Sequence, residues 1–191
     1  MNISIKKLDP NMYNEYLYYF DNIGFADHEE WSACYCLESH LNKEDEEKYT
    51  EKSERREKAK EFIQNGIMSG YLIYDNENIV GWCNAGDKID YAPICSNEEF
   101  LTDPLERGKV KVLYCIDIAP GYRGRGIADM IIEKVCEDAK QEGYSYVEGY
   151  PFADTERPYQ FRGPAYLYEK HGFELLQKKS WFFIMRKKLL I

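Results

Sequence analysis

The chain has 191 residues, of which 44% are hydrophobic, and its formal net charge is −9. This length fits one domain, and the apolar fraction is enough for one core. The acidic balance disfavours nucleic acid as a partner, because acidic surfaces repel phosphates. No stretch reaches the roughly 18 apolar residues of a membrane span, so no membrane partner is expected. The N-terminus lacks the apolar run of a secretory signal, and we therefore predict a cytoplasmic protein.

The cysteine pattern gives no metal site. Cys34 and Cys36 form a C-x-C pair, which does not have the spacing of the usual zinc pairs, and we expect no metal. One interpretation of Cys115 is a nucleophile that accepts the acyl group covalently during transfer. Because it lies in the middle of an apolar segment with no histidine near it in sequence, a small core residue is the favoured interpretation.

The first third of the chain is predicted to be rich in helices. Residues 3–7 alternate between apolar and polar types, which predicts a strand. Asp9 and Pro10 then form a helix start, with aspartate as the cap. Residues 43–61 carry charges of both signs, which indicates one solvated helix. Gly66 is a plausible stop for that helical region.

The rest of the chain alternates between strands and helices. Strand, helix and strand over residues 110–150 imply a right-handed crossover and parallel pairing, whereas the short turns elsewhere imply antiparallel pairing. The predicted fold class is therefore α/β (α+β), a mixed and mostly antiparallel sheet with helices on both faces. The predicted elements are a hairpin (71–84), a loop (86–108), a strand (110–118), a helix (127–141), a strand (144–150), a loop (151–163), a short helix (164–171) and two strands (173–177 and 181–187).

The segment after the strand 110–118 carries the chemical signal. The strand ends near Pro120, Gly124 and Gly126 follow, and a helix begins at once. A helix N-terminus has unpaired N–H donors and partial positive charge, which suit a pyrophosphate, and glycines let phosphates approach the backbone. Two other phosphate motifs fail here. The third glycine of a Rossmann turn is missing, and no G-K-[ST] of a P-loop follows.

These residues resemble a known family. Arg123-x-x-Gly126-x-Ala128 is similar to the acetyl-CoA-binding signature of the GCN5-related N-acetyltransferases (GNAT superfamily). Tyr168-Glu-Lys-His-Gly172-Phe173 resembles the Y-x-x-x-G-F close to the C-terminus of that family. The resemblance covers residues 71–187 in element order. It implies a single acetyltransferase domain over residues 1–191, with an acetyl-CoA-binding core at 71–187 and a variable, helix-rich substrate-side extension at 1–65.

The resemblance also implies where the cosubstrate binds. In the family, a central pair of strands splays apart and acetyl-CoA lies in the gap between them. Carried onto this chain, the strand end would contact the pantetheine arm and the acetyl carbonyl, and the glycine turn would hold the pyrophosphate. The implied strand residues are Ile116, Asp117 and Ile118. The implied turn and helix residues are Arg123, Gly124, Arg125, Gly126, Ile127, Ala128 and Asp129.

Two catalytic roles follow from the resemblance and from the chemistry of amines. Tyr168 would be the general acid that protonates the departing thiolate; the alternative is a packed aromatic. A protonated amine must lose a proton before it attacks, so a general base is expected. Glu148, in an otherwise apolar strand, is the first candidate, and its alternative is a solvent-facing edge position. Asp117 is the second candidate, and its alternative is a structural hydrogen-bond acceptor.

The predicted function is an N-acetyltransferase that moves an acetyl group from acetyl-CoA to a primary amine by direct attack in a ternary complex. A non-catalytic acyl-CoA binding or sensing protein of the same fold and an unrelated nucleotide-binding protein are the alternatives. The acceptor would be a small-molecule or peptide amine, held by residues 20–65 and by the loops 86–108 and 151–163. The aromatic content is compatible with a homodimer without requiring one.

Overall fold

A computed structural model describes residues 1–91, 109–154, 156 and 161–189 of the chain. Its centre is a seven-stranded sheet with the order β1-β2-β3-β4-β5-β7-β6. β4 and β5 pair in parallel, and the other neighbours pair antiparallel. The strands are β1 (Ile3–Lys7), β2 (Gly70–Asp75), β3 (Asn78–Asp87), β4 (Val110–Ile118), β5 (Tyr146–Gly149), β6 (Glu174–Lys178) and β7 (Phe183–Lys188).

The two parallel strands separate halfway along β4. Their pairing runs from Val110 and Tyr146 to Leu113 and Gly149, where β5 ends. β4 continues to Ile118, so its last residues have no strand neighbour on that side among the described residues. The register between β3 and β4 also shifts at this level, which is a β-bulge. This confirms the predicted mixed, mostly antiparallel sheet with a splayed central pair.

Helices cover both faces of the sheet, as predicted. One face carries α4 (Ile127–Gln141) and α5 (Ala165–Lys170). Apolar side chains of α4 recur at helical spacing, and Ile127, Ile131 and Val135 are buried in the core on this face. The opposite face carries α1 (Tyr13–Asn22) and α3 (Lys52–Gln64), which contribute to a second core rich in aromatic residues. A short helix, α2 (Lys43–Lys48), precedes α3 and has no buried residue.

The beginning of the chain follows the sequence rules with one exception. Asp9 caps the turn that starts at Pro10, as predicted. The prediction of one helix over residues 43–61 is wrong, because α2 ends at Lys48 and α3 starts at Lys52. A capping box at the start of α3 causes the break, in which the backbone N–H of Glu51 donates to the side chain of Glu54. No helix in the described part of the chain is long and apolar enough to cross a membrane.

Candidate active site

The glycine turn before α4 forms a cradle of backbone donors. Gly124 and Gly126 have φ of +71° and +79°, and a Cβ at either position would meet no atom within 4 Å. Residues with a side chain rarely adopt this left-handed backbone conformation, so the turn favours glycine at these two positions. Gly126 is the N-cap of α4 and makes no side-chain capping bond. The first amides of α4 therefore lack intrahelical partners, and the space in front of them suits an anion.

Charged side chains surround this glycine cradle. Arg123 donates from Nε to the carbonyl of Ile118 at 2.8 Å and forms a two-armed ion pair with Asp27. Arg125 is exposed, and its guanidinium lies 5.5 Å from the ring centre of Tyr122. Arg125 forms no ion pair with any described residue, so it remains available to an anion. Arg123, by contrast, already ties the cradle to the loop after α1.

Asp129 in the first turn of α4 connects the two helices on that face. Its Oδ1 lies 2.5 Å from Lys170 Nζ and 2.9 Å from His171 Nε2. These contacts, the one with Lys170 above all, lower the pKa of the Asp129 carboxyl. The negative charge beside the cradle is thereby compensated. This contact fixes the start of α4 against the end of α5.

A cavity of about 440 Å³ runs from the cradle along the part of β4 that extends beyond β5. We call it the cradle cavity. Among the residues predicted to bind the cosubstrate, only Arg125 does not line it. Those that line it are Ile116, Asp117, Ile118, Arg123, Gly124, Gly126, Ile127, Ala128 and Asp129. The residues implied by the family signature are thus brought together, and the site assignment itself stays a prediction.

The backbone of β4 in this cavity has one donor already in use. The N–H of Ile116 donates to the carbonyl of Phe161 at 2.5 Å. The segment around Phe161 therefore occupies the open edge of β4 at that level. For this amide to bind an acyl carbonyl, Phe161 must first release it.

Asp117 is a buried carboxylate on the wall of the cradle cavity. Its side chain is 1% exposed, and Oδ2 accepts a hydrogen bond from the Tyr19 hydroxyl at 3.1 Å. Oδ1 is buried and has no hydrogen-bond partner among the described residues. Burial raises the pKa of the Asp117 carboxyl to about 7, against opposing contributions from Tyr19 and Arg123. A carboxyl with this pKa exchanges a proton near neutral pH.

Tyr168, on α5, is fully buried. Its hydroxyl donates to the backbone carbonyl of Arg162 at 2.6 Å, and burial raises its pKa. The ring packs so closely on the end of β5 that a Cβ at Gly149 would lie 2.0 Å from it. Tyr168 lines neither the cradle cavity nor the adjoining cavity described below. Its role as general acid stays a prediction, and it requires the hydroxyl to leave the Arg162 carbonyl.

Glu148 is fully buried, which excludes the solvent-facing alternative. Oε1 accepts from Nε and Nη2 of Arg186 at 2.8 and 2.5 Å. Oε2 accepts from Lys88 and from the hydroxyl of Tyr150 at 2.8 and 2.7 Å. Both carboxylate oxygens are therefore engaged, and Glu148 does not line the cradle cavity. This arrangement favours a structural ion pair over the predicted role of general base, which stays untested.

A second cavity of about 620 Å³ adjoins the first, and both are lined by Trp31 and Phe161. We call it the acceptor cavity, because most of its lining comes from residues 20–65 and 151–163, two of the three segments predicted to hold the acceptor. The sequence also predicts that the aromatic residues of the loops 86–108 and 151–163 face the acceptor. Of these, Phe152 and Phe161 line the cavity, Tyr91 is buried in a core cluster, and Phe100 and Tyr159 lie outside the described residues.

Other residues of the acceptor cavity are not signalled by any sequence motif. They include Arg162, Tyr114, Trp181 and Glu38, which come from four separate segments of the chain. In the described ranges, no group of three or more His, Cys, Asp or Glu residues is arranged to hold a metal ion. The acceptor cavity therefore offers aromatic surface, carboxylates and guanidinium groups.

A splayed mixed sheet with a donor-rich glycine turn at its crossover helix is the arrangement of the acetyltransferase class. The model of the acetyltransferase (GNAT) family matches residues 28–173, and the chain belongs to this family. No curated protein sequence matches the chain.

Solved structures share the fold at low sequence identity. The PaiA N-acetyltransferase of Thermoplasma acidophilum, in complex with coenzyme A, is 15% identical, with 99% of this chain and 100% of that chain covered and a TM-score of 0.59. The polyamine N-acetyltransferase of Drosophila melanogaster, which forms N-acetylagmatine, is 13% identical, with 98% and 100% covered and a TM-score of 0.61. The NatC complex bound to Gag peptide and CoA is 14% identical, with 100% of both chains covered and a TM-score of 0.54.

Proposed function

We propose that this protein transfers an acetyl group from acetyl-CoA to a primary amine by direct attack, with both substrates bound at once. The observation that carries the proposal is the cradle cavity, which joins the amides at the start of α4 to the part of β4 that extends beyond β5. Acetyl-CoA would supply the electrophilic carbonyl. The adjoining acceptor cavity would bring the amine to it past Trp31 and Phe161.

The residues of the cradle account for binding of the diphosphate. Glycines at 124 and 126 leave open space in front of the α4 amides, so a phosphate can approach the backbone without a steric clash. Hydrogen bonds from N–H groups to a charged acceptor are stronger than neutral ones. Arg125, which is exposed, adds a positive charge beside the cradle, and PaiA, a structural neighbour with coenzyme A bound, supports the assignment of the cosubstrate.

We assign the general base to Asp117 in preference to Glu148. An amine that enters as an ammonium must give up a proton, and the base that takes it works best with a pKa close to the working pH. The pKa of Asp117 is raised to about 7, and its buried Oδ1 has no partner among the described residues. Glu148 instead uses both oxygens in contacts with basic and phenolic groups.

The proposed function is tested in two stages. Acetyl-CoA is expected to raise the melting temperature of the protein, whereas ATP and NAD are expected to leave it unchanged. The protein is then mixed with acetyl-CoA and a panel of amines, and the released thiol is measured. Binding without turnover of any amine would favour the acyl-CoA sensing alternative. A melting temperature that responds to ATP or NAD instead would contradict both.

Replacement of Tyr168 by phenylalanine tests the proposed proton donor. We expect kcat to fall about 10-fold, because the departing thiolate loses a hydrogen-bond donor. We also expect a loss of about 1 kcal/mol in unfolding free energy, since the bond to the Arg162 carbonyl is removed. Steady-state kinetics and thermal unfolding are measured on the same preparation. A variant that loses only stability would assign Tyr168 to packing.

A further inference from the structure

The acceptor cavity contains a buried positive charge that the reaction described so far does not use. Arg162 is 9% exposed and lines this cavity. Its guanidinium carbon lies 4.5 Å from the ring centre of Tyr114, 5.0 Å from that of Phe152 and 5.2 Å from that of Trp181. Three aromatic rings thus hold the guanidinium in place. Its backbone carbonyl is fixed as well, by the hydroxyl of Tyr168.

This guanidinium has no acidic partner in the described part of the chain. Nη2 donates to the hydroxyl of Tyr114 at 2.7 Å, and Nη1 is buried without a hydrogen-bond partner there. The other buried arginine, Arg186, is paired with Glu148, and Arg123 is paired with Asp27. A buried charge without a counterion is costly, so the site is arranged for an anion that is not part of the described fold.

Tyr114 extends the same site with a second donor. Its side chain is 9% exposed and lines the acceptor cavity beside Arg162. Burial raises the pKa of Tyr114 to about 12, so the phenol keeps its proton at neutral pH. Its oxygen accepts from Arg162, which leaves its own hydrogen free to donate to a ligand. Arginine and tyrosine together would present donors to the two oxygens of one carboxylate.

The cavity also contains negative charge. Glu38 lines it, is exposed and forms no ion pair with any described residue. A cavity with a free carboxylate and a buried guanidinium is complementary to a molecule that carries both charges. A phosphate ester, with its higher negative charge, fits this cavity less well, because the carboxylate of Glu38 lines the same cavity and would repel it.

We propose that the acceptor is a small aminocarboxylate, whose carboxylate binds to Arg162 and Tyr114 while its amine points toward the cradle cavity. This inference rests on the proposed function, which it extends by naming the class of acceptor. Peptides and simple polyamines are thereby disfavoured as the preferred acceptors.

The test compares amines that differ only by a carboxylate. Suitable pairs are ornithine with putrescine, tryptophan with tryptamine and tyrosine with tyramine. We expect the member with the carboxylate to have a kcat/KM higher by about 10- to 100-fold, which corresponds to one or two charge-assisted hydrogen bonds. Binding of each amine is titrated in parallel in the presence of CoA. A pair of amines that binds without being acetylated therefore still shows whether the carboxylate is preferred.

Variants test whether the preference for a carboxylate depends on Arg162 and Tyr114. Arg162→Gln should abolish the discrimination within each pair and leave the KM for acetyl-CoA unchanged. If that variant is too unstable, Tyr114→Phe keeps the stacking rings and removes one donor, and should lower the discrimination about 3- to 10-fold. Arg56→Gln removes a guanidinium that is paired with Asp21 outside the cavity, and should change nothing.

Two results would overturn the proposal. One is a wild-type protein that binds and turns over the decarboxylated member of each pair equally well or better. The other is an Arg162→Gln variant that loses the same factor for both members. Failure of the proposed function gives a different pattern, namely no thermal shift with acetyl-CoA and no thiol release with any amine. In that case the carboxylate titration, carried out without the cosubstrate, still tests Arg162.

Discussion

Replacement of Gly126 by asparagine is expected to weaken acetyl-CoA binding at least about 100-fold, with little change in the stability of the free protein. Gly126 has φ of +79°, which asparagine tolerates better than most residues, and an added Cβ would meet no atom within 4 Å. They would instead fill the space in front of the α4 amides. A diphosphate that cannot reach two of these N–H donors loses about 1.5–3 kcal/mol of binding free energy for each hydrogen bond.

Gly143 supplies a matched control at the other end of the same helix. Its φ is +77°, and a Cβ there would also meet nothing within 4 Å. Gly143→Asn should therefore carry the same backbone cost and leave acetyl-CoA affinity unchanged. Affinity is measured by titration calorimetry and stability by thermal unfolding. Wild-type affinity in Gly126→Asn, or an equal loss in Gly143→Asn, would remove the cradle from the proposal.

The parts of the fold that could be predicted are those with strong local signals. β4 and α4 have the predicted bounds, since β-branched and aromatic residues define the strand and apolar spacing defines the helix. The position of the cradle follows from glycines that must lie between these two elements. The break between α2 and α3 escapes prediction, because Glu51 and Glu54 resemble every other charge in that segment.

The chemistry of the site depends on partners that are distant in sequence. Glu148 is satisfied by Arg186 and Lys88, which lie 38 and 60 residues away. No local sequence pattern predicts these ion pairs. When the partners are not known, a carboxylate in an apolar strand resembles a catalytic base. Arg162 is likewise defined by Tyr114, 48 residues away along the chain. Sequence therefore predicts the cradle better than it predicts the walls of the acceptor cavity.

Replacement of Asp117 by asparagine is expected to change stability and activity in opposite directions. The folded pKa of about 7 exceeds the unfolded value of about 3.8. Between these values the folded state holds a proton that the unfolded state has lost, so stability falls as pH rises through this window. Asparagine is neutral at every pH and avoids this loss. At pH 8 the variant should be more stable than wild type by up to roughly 4 kcal/mol, and at pH 4 by little.

The same replacement should lower kcat/KM at least about 100-fold, because the amine loses its proton acceptor. The wild-type limb near pH 7 in the rate profile should disappear with it. Glu77→Gln, which alters an exposed carboxylate in the turn between β2 and β3, is the control and should change neither quantity. Denaturant unfolding and kinetics at pH 4 to 8 measure both effects. If Asp117 serves only the structure, its replacement should make the protein less stable. If it is kept for catalysis, it destabilises the wild-type protein, and its replacement should make the protein more stable. The sign of the stability change at pH 8 therefore decides between the two roles.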